Sequence, residues 1–190
     1  MTQITASLVK ELRERTGLGM MECKKALSET DGDLVKAEDL MRIKSGSKAS
    51  KVSGRVAAEG AIAVAISDDM RQGAIVEVNC ETDFVGKDES FLKFANDIAD
   101  IVNKSGESDI AVISEQKLPQ GESVEEVRQA LIMKLGENIS VRRAKKFNAK
   151  GALSSYLHGG RIGVMVDLVN GSSELGKDMA MHIAAVKPVS

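Results

Sequence analysis

The stretch AIVEVNCETDFVGKDESFLKFANDIA, residues 74–99, decides how the rest of the chain is read. Ile75, Val76 and Val78 crowd branched apolar side chains together, the composition of a buried β-strand, which stops at Asn79-Cys80. Beyond it Phe91, Phe94, Ala95, Ile98 and Ala99 recur at helical spacing, with Asp88 as N-cap and Ser90 as a second candidate for that role. Glu81-Thr82-Asp83-Phe84-Val85-Gly86 joins strand to helix. A tight connection is normally polar, yet this one sets an aromatic and a branched aliphatic residue beside two acids. Two readings stand open. Phe84 and Val85 fold back as a plug beneath the helix, or the loop presents an apolar finger with an acid beside it, shaped to enter a partner's pocket.

The 190 residues suffice for a core in one or two compact units plus a small module. Charges nearly balance at a net −2, so no bulk electrostatic argument points to nucleic acid or an anionic membrane. The longest apolar runs are far too short to span a bilayer. The opening MTQITASLVKELRER lacks the uninterrupted apolar core of a signal peptide. Cys23 and Cys80 stand alone, without CxxC or CxxH spacing, which argues against a zinc site and for a reduced, cytoplasmic protein. Trp is absent and aromatics are few, which argues against base-stacking platforms. No membrane association, metal or cofactor is expected.

Ile4, Leu8, Val9 and Leu12 share one face of a first helix, which Thr16-Gly17 ends. A second helix carries Cys23, Ala26, Leu27 and Met20 or Met21. A third starts at Asp33 and carries Leu34, Ala37, Leu40 and Met41. Alone each is marginal; together they make a three-helix module over residues 1–45. Met20 and Met21 point about 100° apart on a helix, so they serve either as core filling or as an adaptable contact surface. From Arg42 to Arg55 the chain is basic, Ser-rich and free of acids, which reads as a solvated linker or frayed helix; residues 46–58 are assigned as linker. Residues 61–66 read as a strand and Ser67-Asp68-Asp69 as its turn. Residues 104–122 read as a loop with a short helical piece, 124–135 as a helix and 137–143 as a strand. After Gly151 the order strand, Gly turn, strand, helix repeats the order of residues 61–99, with residues 163–168 opposite 73–78. The expected fold class is therefore α+β. The three-helix module is followed by two related strand–strand–helix subdomains at residues 59–146 and 147–190, the second incomplete.

The chemistry-bearing residues form no convincing catalytic site, and a non-enzymatic role is expected. His158 and His182 lie apart, without a nucleophile-elbow pattern. His158-Gly159-Gly160-Arg161-Ile162-Gly163 lacks a GKS or GKT ending and sits between two strands, as a hairpin turn does and a phosphate loop does not.

Three stretches are highly specific or fit in order: ITASLVKELRERTGLGMMECKKAL, EVNCETDFVGKDESF, and GENISVRR followed by YLHGGRIGV and MAMHIAAVKP. Through them the chain closely resembles bacterial elongation factor Ts, the family of nucleotide-exchange factors for elongation factor Tu. The resemblance implies a guanine-nucleotide exchange factor in protein synthesis. Its partner would be elongation factor Tu in GDP-bound and nucleotide-free forms, with no direct nucleic-acid contact. It also implies a ubiquitin-associated-like N-terminal module that docks on the GTPase domain, with Leu12, Met20 and Met21 matching apolar contact residues. Thr82, Asp83, Phe84 and Val85 match the family's wedge, whose aromatic ring enters between two GTPase helices near the magnesium site. His158 and Gly159 match a second contact near the phosphate-binding loop. Family members continue past Pro188 with a dimerisation hairpin, further strands and a C-terminal helix. A C-terminally short version is therefore expected, and its homodimerisation is left open because the usual element is missing. The alternatives are an elongation factor Tu-binding module without exchange activity, a nucleic-acid-binding protein using the Arg42–Arg55 strip, and a small hydrolase built around His158.

Overall fold

The structure, a computed structural model, describes residues 4–188. In chain order, helices α1 (Ala6–Thr16), α2 (Met20–Glu29) and α3 (Leu34–Val52) precede strands β1 (Glu59–Ile66) and β2 (Gln72–Cys80). A 3₁₀ turn at Val85–Lys87 leads into α4 (Glu89–Ser105), α5 (Ile110–Glu115) and α6 (Val124–Leu135). Strands β3 (Ser140–Asn148), β4 (Ala152–His158) and β5 (Ile162–Leu168) and helix α7 (Ser173–Val186) complete an α+β fold. The chain divides into two compact units. One is the N-terminal stretch to Val56 together with Glu126–Asn138; the other is Ala57–Glu125 with the residues from Ile139 on. The outermost residues of the expected domains, 1–3 and 189–190, lie outside the described residues.

In the first unit, Val9, Leu12, Leu18, Cys23, Leu27 and Met41 are buried together where α1, α2 and α3 meet. Gly17 caps α1 in the left-handed conformation, and the Asp33 carboxylate accepts a hydrogen bond from the Lys36 N–H to start α3. Where a linker was expected from residue 46, α3 instead continues to Val52. Small residues explain the difference. Ser45, Ala49 and Val52 lie buried on one face, and Gly46 is so close to α6 that an added Cβ would stand 3.1 Å from Gln129 Oε1. Lys48 Nζ donates to the Met133 carbonyl at 3.0 Å, and Asn138 Nδ2 donates to the Ser53 and Arg55 carbonyls. Residues 126–138, expected in the first core subdomain, therefore complete the helical unit.

In the second unit β1, β2 and β3 form an antiparallel sheet in that order, and β4 and β5 form a separate antiparallel hairpin. Opposed residues of an antiparallel pair share a face. Ala61, Ala63 and Ala65 stand opposite Val78, Val76 and Ala74, all buried. These small side chains let α4 lie close and seat Phe91, Phe94, Ile98 and Val102. The opposite face carries Ile62, Val64 and Ile75, and the β4–β5 hairpin covers it. A Cβ on Gly163 would meet Ile62 Cγ2 at 2.5 Å and Ile75 Cδ1 at 2.9 Å, so only glycine fits there. Helix α7 packs on β4 and β5. Strand β3 starts at Ser140 and runs to Asn148, later than the 137–143 expected from alternation, because its basic residues pair along β2 as far as Gln72.

Candidate functional site

Strand β2 ends at Cys80, and the next residues turn sharply into α4. The Cys80 thiol donates to the Thr82 carbonyl at 3.1 Å, and the same carbonyl accepts the Gly86 N–H at 3.1 Å. Val85 is only 7% exposed and anchors the turn from below. Asp88 accepts hydrogen bonds from the Ser90 and Phe91 N–H groups and so caps α4. The turn is thus held at both ends, and Phe84 stands on it 83% exposed. The two open readings of the loop divide between neighbours: Val85 is the plug and Phe84 the presented ring. Leaving a Phe side chain in water forgoes about 1.5–3 kcal/mol of burial, and a rigid mount for it favours a recognition role over chance exposure.

Acid and base flank the ring. Asp83 Oδ2 lies 2.8 Å from Lys87 Nζ. The hydrogen bond and charge of Lys87 hold the Asp83 carboxyl below the ordinary carboxylate range, and the positive charge of Arg161 adds to the effect. Thr82 is exposed beside it.

The tip of the β4–β5 hairpin carries His158, Gly159, Gly160 and Arg161. The Arg161 N–H donates to the His158 carbonyl at 3.1 Å, with Gly159 and Gly160 at φ 57° and 71° between them. Two consecutive left-handed residues suit the mirror-image hairpin turns that glycine permits at least cost. His158 is exposed, and its Nδ1 lies 3.0 Å from the Tyr156 hydroxyl. This turn meets the finger loop. A hollow of about 280 Å³ has Asp83, Gly86, Lys87 and Leu92 on one side and Gly159, Gly160 and Arg161 on the other, with Gly60 and Ala61 of β1 between them.

The residues singled out in sequence therefore fall into two groups. Asp83 and Gly159 line the hollow, while Thr82, Phe84, Val85 and His158 belong to the two segments that form it. Leu12, Met20 and Met21 belong to the helical unit. Met20 and Met21 are 58% and 74% exposed, so neither fills the core. Leu12 is 0% exposed and packs in that core, so its side chain is not available for contact. Glu59, Lys87, Leu92 and Arg161 were not anticipated. Arg161 sits inside the glycine-rich stretch already noted, but its pairing with Glu59 is made only through the tertiary fold.

Four of the strip's five basic residues make contacts within their own unit. Arg42 pairs with Asp39 and Glu126, Lys44 with Glu29, and Lys48 and Arg55 donate to backbone carbonyls. Among the described residues no cluster of three or more His, Cys, Asp or Glu could hold a metal ion, and no helix is long and apolar enough to cross a membrane.

Comparison with known proteins places residues 81–190 under the family model described as Elongation factor TS. The chain is 62% identical over 189 residues to elongation factor Ts of Nitrosomonas eutropha, a match covering 100% of the chain. It is 59% identical over 192 residues to the protein of that name from Nitrosospira multiformis, and 57% identical over 182 residues to that from Alcanivorax borkumensis. In each case the match spans 64% of the relative's own length.

Proposed function

Because the chain belongs to the elongation factor Ts family, we propose that it is a guanine-nucleotide exchange factor for elongation factor Tu, acting by insertion rather than by covalent chemistry. The observation that carries this reading is Phe84, 83% exposed on a turn fixed by Cys80, Val85 and the Asp88 cap. The ring enters between helices of the GTPase domain near its magnesium ion, with Asp83 and Thr82 at the same contact. The glycine turn at His158 and Gly159 meets the partner as a second contact. Met20 and Met21 supply an adaptable apolar surface on the helical unit, which we take to be a ubiquitin-associated-like docking module, and Leu12 supports that surface from the core. The β1–β2–α4 and β4–β5–α7 arrangements are read as two related subdomains.

The energetics are those of linked binding: a partner that prefers the nucleotide-free GTPase weakens nucleotide binding by the same factor by which nucleotide weakens the partner. A thousandfold faster release needs the barrier lowered by roughly 4 kcal/mol. Burying one Phe side chain contributes about 1.5–3 kcal/mol, a large part of this, and disturbance of magnesium coordination supplies the remainder.

The test is release of a fluorescent GDP analogue from elongation factor Tu, chased with excess GDP. Dose-dependent acceleration is expected from the chain, with loss of most of it in Phe84→Ala. Co-elution with the nucleotide-free factor without acceleration would identify a binding module instead, and the absence of both binding and accelerated release would overturn the family function for this chain.

A further inference from the structure

The finger loop follows β2 and the glycine turn ends β4, so chain order does not bring them together. Strand β1 does. It is the outermost strand of its sheet and pairs with β2 on one side only. On its open side the Ile62 N–H donates to the Gly160 carbonyl at 2.7 Å, and Glu59 forms an ion pair with Arg161. An edge strand's outward N–H needs a partner, and the turn supplies one. The same strand abuts the finger, since a Cβ on Gly86 would lie 3.4 Å from the Gly60 carbonyl oxygen. Glu59, Gly60 and Ile62 thus touch both elements within one short stretch of β1.

The hairpin that carries the turn has only two strands. Helix α7 and the face of the first sheet hold the body of this ribbon, and at its tip, where Gly159 and His158 stand, the side contacts to β1 add a further hold. The Arg161 and Glu59 side chains are 55% and 33% exposed, which leaves the pair open to replacement without opening a core.

We propose that Arg161, through its pair with Glu59, is a positioning residue that sets the glycine turn at a fixed distance from the Phe84 loop, so that both reach one partner in register. The inference rests on the exchange reading above and adds a residue to it. A misplacement on the order of 1 Å is enough to cost up to 100-fold in a rate that depends on geometry.

The experiment has two arms. In the free chain, amide hydrogen exchange at Ile62 is compared between wild type and Arg161→Ala; a roughly tenfold faster exchange is expected there, with α1 and α7 unchanged. In the nucleotide-release assay, Arg161→Ala and Glu59→Ala should each slow release roughly tenfold, and the reversed pair E59R/R161E should recover most of it. An Ile62 amide that stays protected in Arg161→Ala overturns the clamp. Loss of protection with unchanged release overturns the positioning role. A silent Glu59→Ala, or a reversed pair that stays inactive, shows that Arg161 acts by another route and also overturns it. If the wild-type chain releases no nucleotide, the exchange reading and the positioning role built on it both fall, while the Ile62 arm still decides whether the clamp exists.

Discussion

Glu77 marks the point where β2 and β3 change register. It stands opposite Arg143, whereas Val78 stands opposite Val141, so Arg142 is the additional residue of a β-bulge. The bulge turns two consecutive arginines toward one carboxylate: Arg142 Nη1 lies 3.0 Å from Oε1 and Arg143 Nε 2.6 Å from Oε2. Burial pushes the Glu77 carboxyl upward, but the hydrogen bonds and charges of Arg143 and Arg142 outweigh it and leave the group below its ordinary value of 4.5. A depressed carboxylate stabilises the fold fully above that ordinary value, and the contribution is lost as pH falls through the lower folded value. Glu77→Gln should therefore cost roughly 1 kcal/mol at pH 7, modest because both guanidinium groups are well exposed. Urea unfolding of the two proteins should converge as the pH is taken well below 4.5; a gap that persists in acid would show that shape rather than charge is at work. Phe84→Ala should change unfolding free energy by no more than about 0.5 kcal/mol, so that its effect on nucleotide release is not a folding defect. The sequence left Phe84 and Val85 under the same pair of readings. Hydrophobicity cannot separate them, whereas Phe84 in helical backbone geometry turns its successor inward.

Helix α4 is the element most open to reading in advance, because its cap and apolar period agree. Asp88 begins it, and Phe91, Phe94, Ala95, Ile98, Ala99 and Val102 form one buried stripe. Removing the cap in Asp88→Ala should cost about 1 kcal/mol and speed amide exchange at Ser90 and Phe91. Unchanged exchange there would mean that the 3₁₀ turn at Val85–Lys87 holds the helix start without help. The last turns of α3 are the opposite case. Ser45, Ala49 and Val52 keep helical spacing there, but among Ser, Gly and Lys these mostly small side chains make too weak an apolar stripe to be read as a period. What makes them helical is Gln129, Met133 and Asn138, far along the chain, approaching a face made of small residues. Local sequence cannot announce a helix whose support is non-local. The same holds for the candidate site: the finger and the glycine turn were each visible as motifs, but the β1 edge that joins them was not.

At the scale of the whole molecule, the helical unit is discontinuous, with Glu126–Asn138 returning to it. Asn138 is 6% exposed and its Nδ2 donates to the Ser53 and Arg55 carbonyls at 3.3 and 2.9 Å. Asn138→Ala leaves those carbonyls short of a donor and should cost roughly 1–3 kcal/mol, read as a lower unfolding midpoint. An unchanged midpoint would show that water replaces the amide freely. The returning helix also has a consequence for the nascent chain. During synthesis the stretch ending at Val56 emerges well before Glu126–Asn138. At translation speeds of 5–20 residues per second, completing it takes roughly 4–16 s more. For that interval Gly46 and Lys48 of α3 stand without Gln129 and Met133, the residues they meet in the finished unit.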